Sequence, residues 1–270
     1  MSDWKLADTY DTGNGLVRWG AFGEGDPVIL LHGTPFSSYI WRDVVQGLSA
    51  NHRVYVWDML GFGQSDKHDG QDVSLARQTR LFCDLLELWD VRRPSVIAHD
   101  VGGVVALRAT LIEDVAFGDL TLIDAASISG WGAGGFFQTI RENPHVFLQL
   151  PDWASDALIE SKIRTGSHPG LRPEALKTYL DSWCSPEGRG AFYRQYAQGG
   201  EEHTDALQDR LASLSMPVRI LWGREDQWLT LDYAERLRAA LPQAEFAIID
   251  GAGHMVPEDS PGALLRHLVA

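Results

Sequence analysis

Cysteine is scarce: Cys83 and Cys184 are the only two in 270 residues. Two thiols without paired spacing exclude a disulfide framework and a cysteine zinc site, and they suit a reducing interior. Basic residues are also few. The 23 Lys and Arg stand against 37 Asp and Glu, a formal net charge of -14. That is the wrong sign for a chain that condenses along nucleic acid or on an anionic leaflet. No apolar run approaches the roughly 18 residues of a membrane span, and Met1 to Lys5 lack the charged-then-apolar order of a signal peptide. Internal repeats, long charge runs and Gly/Ser linkers are missing, which excludes a solenoid and a docking tail. The expectation is a cytoplasmic, soluble chain with neither nucleic-acid nor membrane partner. Oligomeric state stays open.

What is present is ordinary globular composition, 44% hydrophobic and 22% charged, long enough for a real core. The run Pro27-Val28-Ile29-Leu30-Leu31 is unbroken and apolar, as expected of a strand covered on both faces in a parallel sheet. Three similar runs follow, at residues 53–57, 95–98 and 120–123. Between them, residues 41–48, 75–89 and 104–112 carry apolar side chains at spacings of three and four, the helical period. Strand and helix therefore alternate, an α/β pattern. From about Gly130 to Ala206 the chain turns rich in Gly, Pro and aromatics, with helical periods at 158–163 and 191–196. Alternation then resumes with strands at 218–222 and 245–249, a helix near 231–241 and a last helix from Ser260. We expect one core, residues 1–129 and 206–270, interrupted by a helical lid at 130–205 that is not an independent domain.

The turn after the third of these strands reads Ala98-His99-Asp100-Val101-Gly102-Gly103 and leads straight into a helix. Ala and Gly flank Asp100 at minus two and plus two, the small-X-nucleophile-X-small pattern of a sharp turn that lifts one side chain above a sheet. Capping the following helix is the plainer role for an Asp at this place. His32-Gly33-Thr34-Pro35 directly follows the first strand. The backbone N–H groups of Thr34 and Val101 are the candidate oxyanion donors over Asp100. Two further strand exits carry Trp222-Gly223-Arg224-Glu225-Asp226 and Gly251-Ala252-Gly253-His254. In chain order this gives Asp100, Asp226, His254: nucleophile, acid, histidine.

On these four motifs, and on the loop Asp58-Met59-Leu60-Gly61-Phe62-Gly63-Gln64-Ser65-Asp66, the sequence resembles the α/β-hydrolase superfamily along essentially its whole length. The resemblance implies a mostly parallel central sheet flanked by helices, with an inserted helical lid. Most members carry Ser or Cys at the elbow. A carboxylate there selects saturated carbon as the electrophile, because attack gives a stable alkyl ester that water can then hydrolyse. His254 would be the general base for that step and Asp226 would hold its ring, with Asp124, after residues 120–123, as the alternative acid. The His-Asp-X-Gly elbow is similar to that of epoxide hydrolases and of haloalkane and haloacetate dehalogenases.

The two chemistries differ in what meets the leaving atom. Many haloalkane dehalogenases place Trp directly after the nucleophile, where this chain has Val101, and Thr34 stands in place of their usual Asn. Haloacetate dehalogenases carry Arg at the first and fourth following positions, here Val101 and Val104, unless Arg141 or Arg194 of the lid substitutes. The lid stretch Pro144 to Gln149 and the segment Phe192-Tyr193-Arg194 resemble lid segments both of haloacetate dehalogenases and of the His-Tyr branch of epoxide hydrolases, which for an epoxide implies His145 and Tyr193 as holders of its oxygen. Packing within the lid is the plain alternative for His145, Tyr193 and Tyr196.

The expected function is an epoxide hydrolase for a small, neutral, apolar substrate, forming an ester on Asp100. A dehalogenase with the same nucleophile is the alternative, and a non-catalytic ligand-binding protein on the same fold is the third reading. Trp41, Trp131, Trp153 and Trp183 are candidates to line the pocket. His52, His68, His168, His203 and His267 show no metal spacing, and Gly61-X-Gly63 lacks the strand-turn-helix setting of dinucleotide binding. No metal or organic cofactor is expected.

Overall fold

The computed structural model describes residues 4–132 and 135–269. Eight strands form one sheet: β1 (Asp8–Asp11), β2 (Leu16–Phe22), β3 (Asp26–Leu31), β4 (His52–Asp58), β5 (Ser95–His99), β6 (Asp119–Ile123), β7 (Val218–Gly223) and β8 (Glu245–Ile249). Their spatial order is β1-β2-β4-β3-β5-β6-β7-β8. β2 runs antiparallel to β1 and to β4, and every other pairing is parallel. This is the α/β-hydrolase architecture that the motifs imply.

Helices α1 (Arg42–Leu48), α2 (Leu75–Leu88) and α3 (Val101–Leu111) connect the first parallel strands. After β6 come α4 (Gly135–Glu142), α5 (Pro144–Phe147), α6 (Asp152–Arg164), α7 (Pro173–Trp183), α8 (Pro186–Gln198) and α9 (Glu202–Asp205). The chain closes with α10 (Leu231–Ala240), α11 (Val256–Asp259) and α12 (Pro261–Leu268). Each parallel strand predicted from an apolar run is present, because those side chains are covered from both faces: Val28 to Leu31 are all buried, as are Val96 to Ala98. The helix α3 is apolar nearly all round because it lies between the sheet and α2. Local chemistry sets the ends of others. Ser74 Oγ accepts from Arg77 N at the start of α2, and Ser185 Oγ from Gly188 N at the start of α8.

The hairpin β1–β2 is an element that the apolar runs do not announce. Its residues are largely half-buried or exposed, so the chain there carries no continuous hydrophobic signal. Strand order reverses at β3: the chain moves outward to β4 and then returns to place β5 on the other side. A crevice forms beyond the carboxyl ends of β3 and β5, where open α/β sheets bind their ligands. No helix of the described residues is long and apolar enough to cross a membrane.

Candidate active site

Each of the four motifs lies at the carboxyl end of a parallel strand, and the fold gathers them at that crevice. Asp100 ends β5 with φ 52° and ψ -126°, a left-handed backbone that a non-glycine residue adopts only under tight constraint. Small neighbours permit it. A Cβ on Gly102 would stand 2.6 Å from the carbonyl oxygen of His32, and one on Gly33 2.3 Å from Asp100 Cβ. The two exits thus approach as closely as glycine allows.

Thr34 N donates to Asp100 Oδ1 at 2.7 Å, and the Val101 N–H supports the same carboxylate. Both candidate oxyanion donors therefore converge on Asp100. His32 holds the Thr34 turn: its Nδ1 donates to Gly33 O at 3.0 Å and its Nε2 accepts from Met59 N at 3.0 Å. Thr34 Oγ1 donates to Gln195 Oε1 at 2.9 Å, which ties this turn to α8.

His254 Nε2 lies 3.4 Å from Asp100 Oδ2, and its Nδ1 donates to Asp226 Oδ2 at 2.8 Å. The second oxygen of Asp226 accepts from Trp228 N at 2.7 Å and Leu229 N at 3.0 Å, so the carboxylate is fixed before it meets the ring. His99 Nε2 donates to the backbone oxygen of His254 at 2.7 Å. Burial holds His99 down at about 4, so it performs this task as a neutral ring. Behind His254, Glu258 takes two 2.6 Å hydrogen bonds from Arg42 and one of 3.1 Å from Arg172, anchoring α11.

Asp124 also ends beside this group, but in a different role. Its Oδ1 accepts from Gly223 N at 2.8 Å. Complete burial and the adjacent Asp226 raise its carboxyl well above the ordinary carboxylate range, which works against a charge there. For His254 itself burial opposes the charge, yet Asp226 and Asp100 outweigh it and raise the imidazole to about 10. Burial likewise acts to raise Asp100, but His254 and the Val101 N–H leave it below its usual value. The resting pair is a carboxylate beside an imidazolium.

A cavity of about 260 Å³ opens over Asp100 and His254. The helical insertion contributes Trp131, Phe136, Phe137, Lys162 and Tyr196 to it, and the loop after β7 contributes Gln227, Trp228 and Leu229. Two expected lining residues are elsewhere. His145 lies exposed on α5, and the Tyr193 hydroxyl is turned away to Ser155 Oγ at 2.9 Å. One turn further along α8, Tyr196 faces the cavity instead; its hydroxyl is buried and has no hydrogen-bond partner among the described residues. Of the four tryptophans singled out, Trp131 lines the cavity, Trp41 and Trp183 are buried away from it, and Trp153 is 76% exposed. Arg141 and Arg194 pair with Glu202 and Asp69 outside it. A larger cavity of about 740 Å³ lies near Cys83 and Arg93, away from this chemistry, and burial raises the Cys83 thiol to about 11.

The sequence profile of the alpha/beta hydrolase fold matches residues 26–261, and the chain belongs to that family. Its structure is similar to an alpha/beta hydrolase fold protein from Burkholderia ambifaria, at 37% identity over 98% of both chains with a TM-score of 0.94. It is also similar to a provisionally assigned epoxide hydrolase from Pseudomonas aeruginosa: 28% identity, 97% of this chain and 93% of that one, TM-score 0.76. The haloalkane dehalogenase DatA from Agrobacterium tumefaciens C58 shares the fold at 21% identity, 98% and 94% coverage and a TM-score of 0.79.

Proposed function

We propose that the chain is an epoxide hydrolase that works through an ester on Asp100, with the helices between β6 and β7 acting as its lid. The observation that carries this reading is the Tyr196 hydroxyl, buried, without a partner among the described residues and in the same cavity as Asp100. Burial and the charge of Asp100 push its pKa well above the ordinary value, so it remains a donor. The indole N–H groups that would meet a departing halide are not free. The two indoles of the cavity are already committed, Trp131 Nε1 to Thr204 Oγ1 and Trp228 Nε1 to Thr165 Oγ1, each at 3.0 Å.

The reaction runs in two steps. Asp100 Oδ2 attacks a ring carbon, the carbon–oxygen bond of the epoxide breaks, and the alkoxide takes a proton from Tyr196. Esterification removes the charge of Asp100, so the pKa of His254 falls and the proton it sheds balances the one that Tyr196 gave. Neutral His254 then takes a proton from water as the hydroxide attacks the Asp100 acyl carbon. Oxygen Oδ1 carries the developing charge against the Thr34 and Val101 N–H groups. Collapse releases a diol and restores the Asp100 carboxylate and the His254 imidazolium. Epoxide plus water gives diol, with all protons returned.

Intact mass of a His254→Gln variant tests this, since the ester forms but is not hydrolysed. An adduct equal to the whole epoxide supports the reading. An alkyl adduct with halide released from haloalkanes would move the assignment to a dehalogenase. Absence of adducts with epoxides and with haloalkanes alike would favour the non-catalytic binding protein.

A further inference from the structure

Seven Lys and Arg residues lie between positions 135 and 205. Six of them, Arg141, Arg164, Arg172, Lys177, Arg189 and Arg194, are ion-paired to Asp or Glu on the outside of the insertion. The seventh, Lys162 on α6, has no ion pair among the described residues. Its ammonium rests 3.2 Å from the centroid of the Trp228 ring and borders the cavity that holds Asp100 and His254. The Trp228 ring in turn packs on the His254 ring with centroids 4.6 Å apart. Lys162 is half-buried, and an ammonium partly withdrawn from water without a paired anion carries a cost that a ring face compensates only in part. Burial lowers Lys162 to about 8 even though Asp100 and Asp226 act to raise it. An anionic group brought by a ligand would complete the site.

We propose that Lys162 receives a carboxylate of the substrate, so that the protein acts on a small epoxide bearing one carboxylate group rather than on a neutral one. A single ammonium matches a monoanion, and Asp100 and Asp226 nearby disfavour a doubly charged phosphate. The cavity, at about 260 Å³, is at the small end of ligand pockets, so the electrophilic carbon and the carboxylate are only a few bonds apart. The proposal takes its reacting carbon from the Asp100 ester reading but is tested without it.

Calorimetric titration of the wild-type protein with the product pair, a short-chain diol carboxylate and its carboxamide, reads the charge preference with no chemistry involved. The acid is expected to bind about tenfold or more tightly than the amide. Lys162→Met should remove that preference and bring the two within about twofold, Lys162→Arg should keep most of it, and Arg164→Met on the same helix should leave it intact. Equal binding of acid and amide to the wild type, or a preference that survives Lys162→Met, overturns the proposal. The ester reading stands or falls separately, on the mass of the His254→Gln adduct. If Lys162→Met lowers kcat equally for an epoxy acid and its amide while leaving KM ratios unchanged, Lys162 is a proton donor and the carboxylate assignment is wrong.

Discussion

The backbone N–H of Thr34 donates to Asp100 Oδ1 across 2.7 Å, joining the exits of β3 and β5. The oxygen that would bear negative charge during ester hydrolysis thus already sits on its donor before any substrate arrives. Preorganisation of this kind needs no rearrangement at the moment of reaction. Under the proposed ester chemistry, Oδ2, 3.4 Å from His254 Nε2, would be the attacking oxygen.

Gly33 is the point at which this arrangement is most sensitive. A Cβ there would meet Asp100 Cβ at 2.3 Å and Oδ1 at 2.4 Å, so one of the two exits must move. Gly33→Ala is expected to cut turnover about 100-fold or more, the scale of a 1 Å misplacement, as measured by epoxide kinetics. Turnover within a few fold of wild type would show that the elbow relaxes freely.

Asp226 and Asp124 separate by substitution with Asn. Asp226→Asn removes the carboxylate that accepts from His254 Nδ1 and permits the wrong ring tautomer, a loss on the order of 10³–10⁴ in kcat. Asn keeps the acceptor for Gly223 N, and burial already works against a charge on Asp124, so Asp124→Asn should stay within about tenfold of wild type. The opposite ranking in steady-state kinetics would make Asp124 the acid.

Tyr196 and Tyr193 give contrasting variants. Tyr196→Phe deletes a buried hydroxyl that has no partner, so stability should hold or rise slightly while turnover falls about 10²-fold or more. Tyr193→Phe leaves Ser155 Oγ without its 2.9 Å partner and should cost about 1–3 kcal/mol of stability with turnover largely kept. Denaturant melts and kcat for the two variants check the pattern together.

The raised imidazole gives stability a direction with pH. Folded His254 titrates near 10 rather than at the ordinary 6.5, so between these values the folded protein holds a proton that the unfolded chain has released. The contribution is complete below about pH 6.5 and is lost as pH rises through about 10. Denaturation midpoints between pH 6 and 10 should fall more steeply for wild type than for His254→Gln. Parallel curves would remove the charged resting pair.

Much of this protein is written locally. The apolar runs at 27–31 and 95–98, and the stretch at 218–222 with only Arg219 interrupting it, belong to strands covered on both faces, and a strand exit with chemistry follows each. The small residues around Asp100 likewise announce a tight turn. By contrast, β1 and β2 are half exposed and leave no such trace.

What only the tertiary structure decided are the relations between side chains on different elements. Asp124 and Asp226 both follow strands, and the sequence leaves Asp124 as an alternative acid; the Trp228 and Leu229 N–H groups aim one carboxylate at the ring, and burial works against a charge on the other. Tyr193 and Tyr196 are three residues apart, about 4.5 Å along a helix axis, and that shift alone selects Ser155 or the cavity. Lys162 reads in sequence as one more charge on a helix between Ser161 and Ile163. Its meaning depends on the neighbours that withhold a carboxylate from it, and a long-range absence of that kind has no local signature.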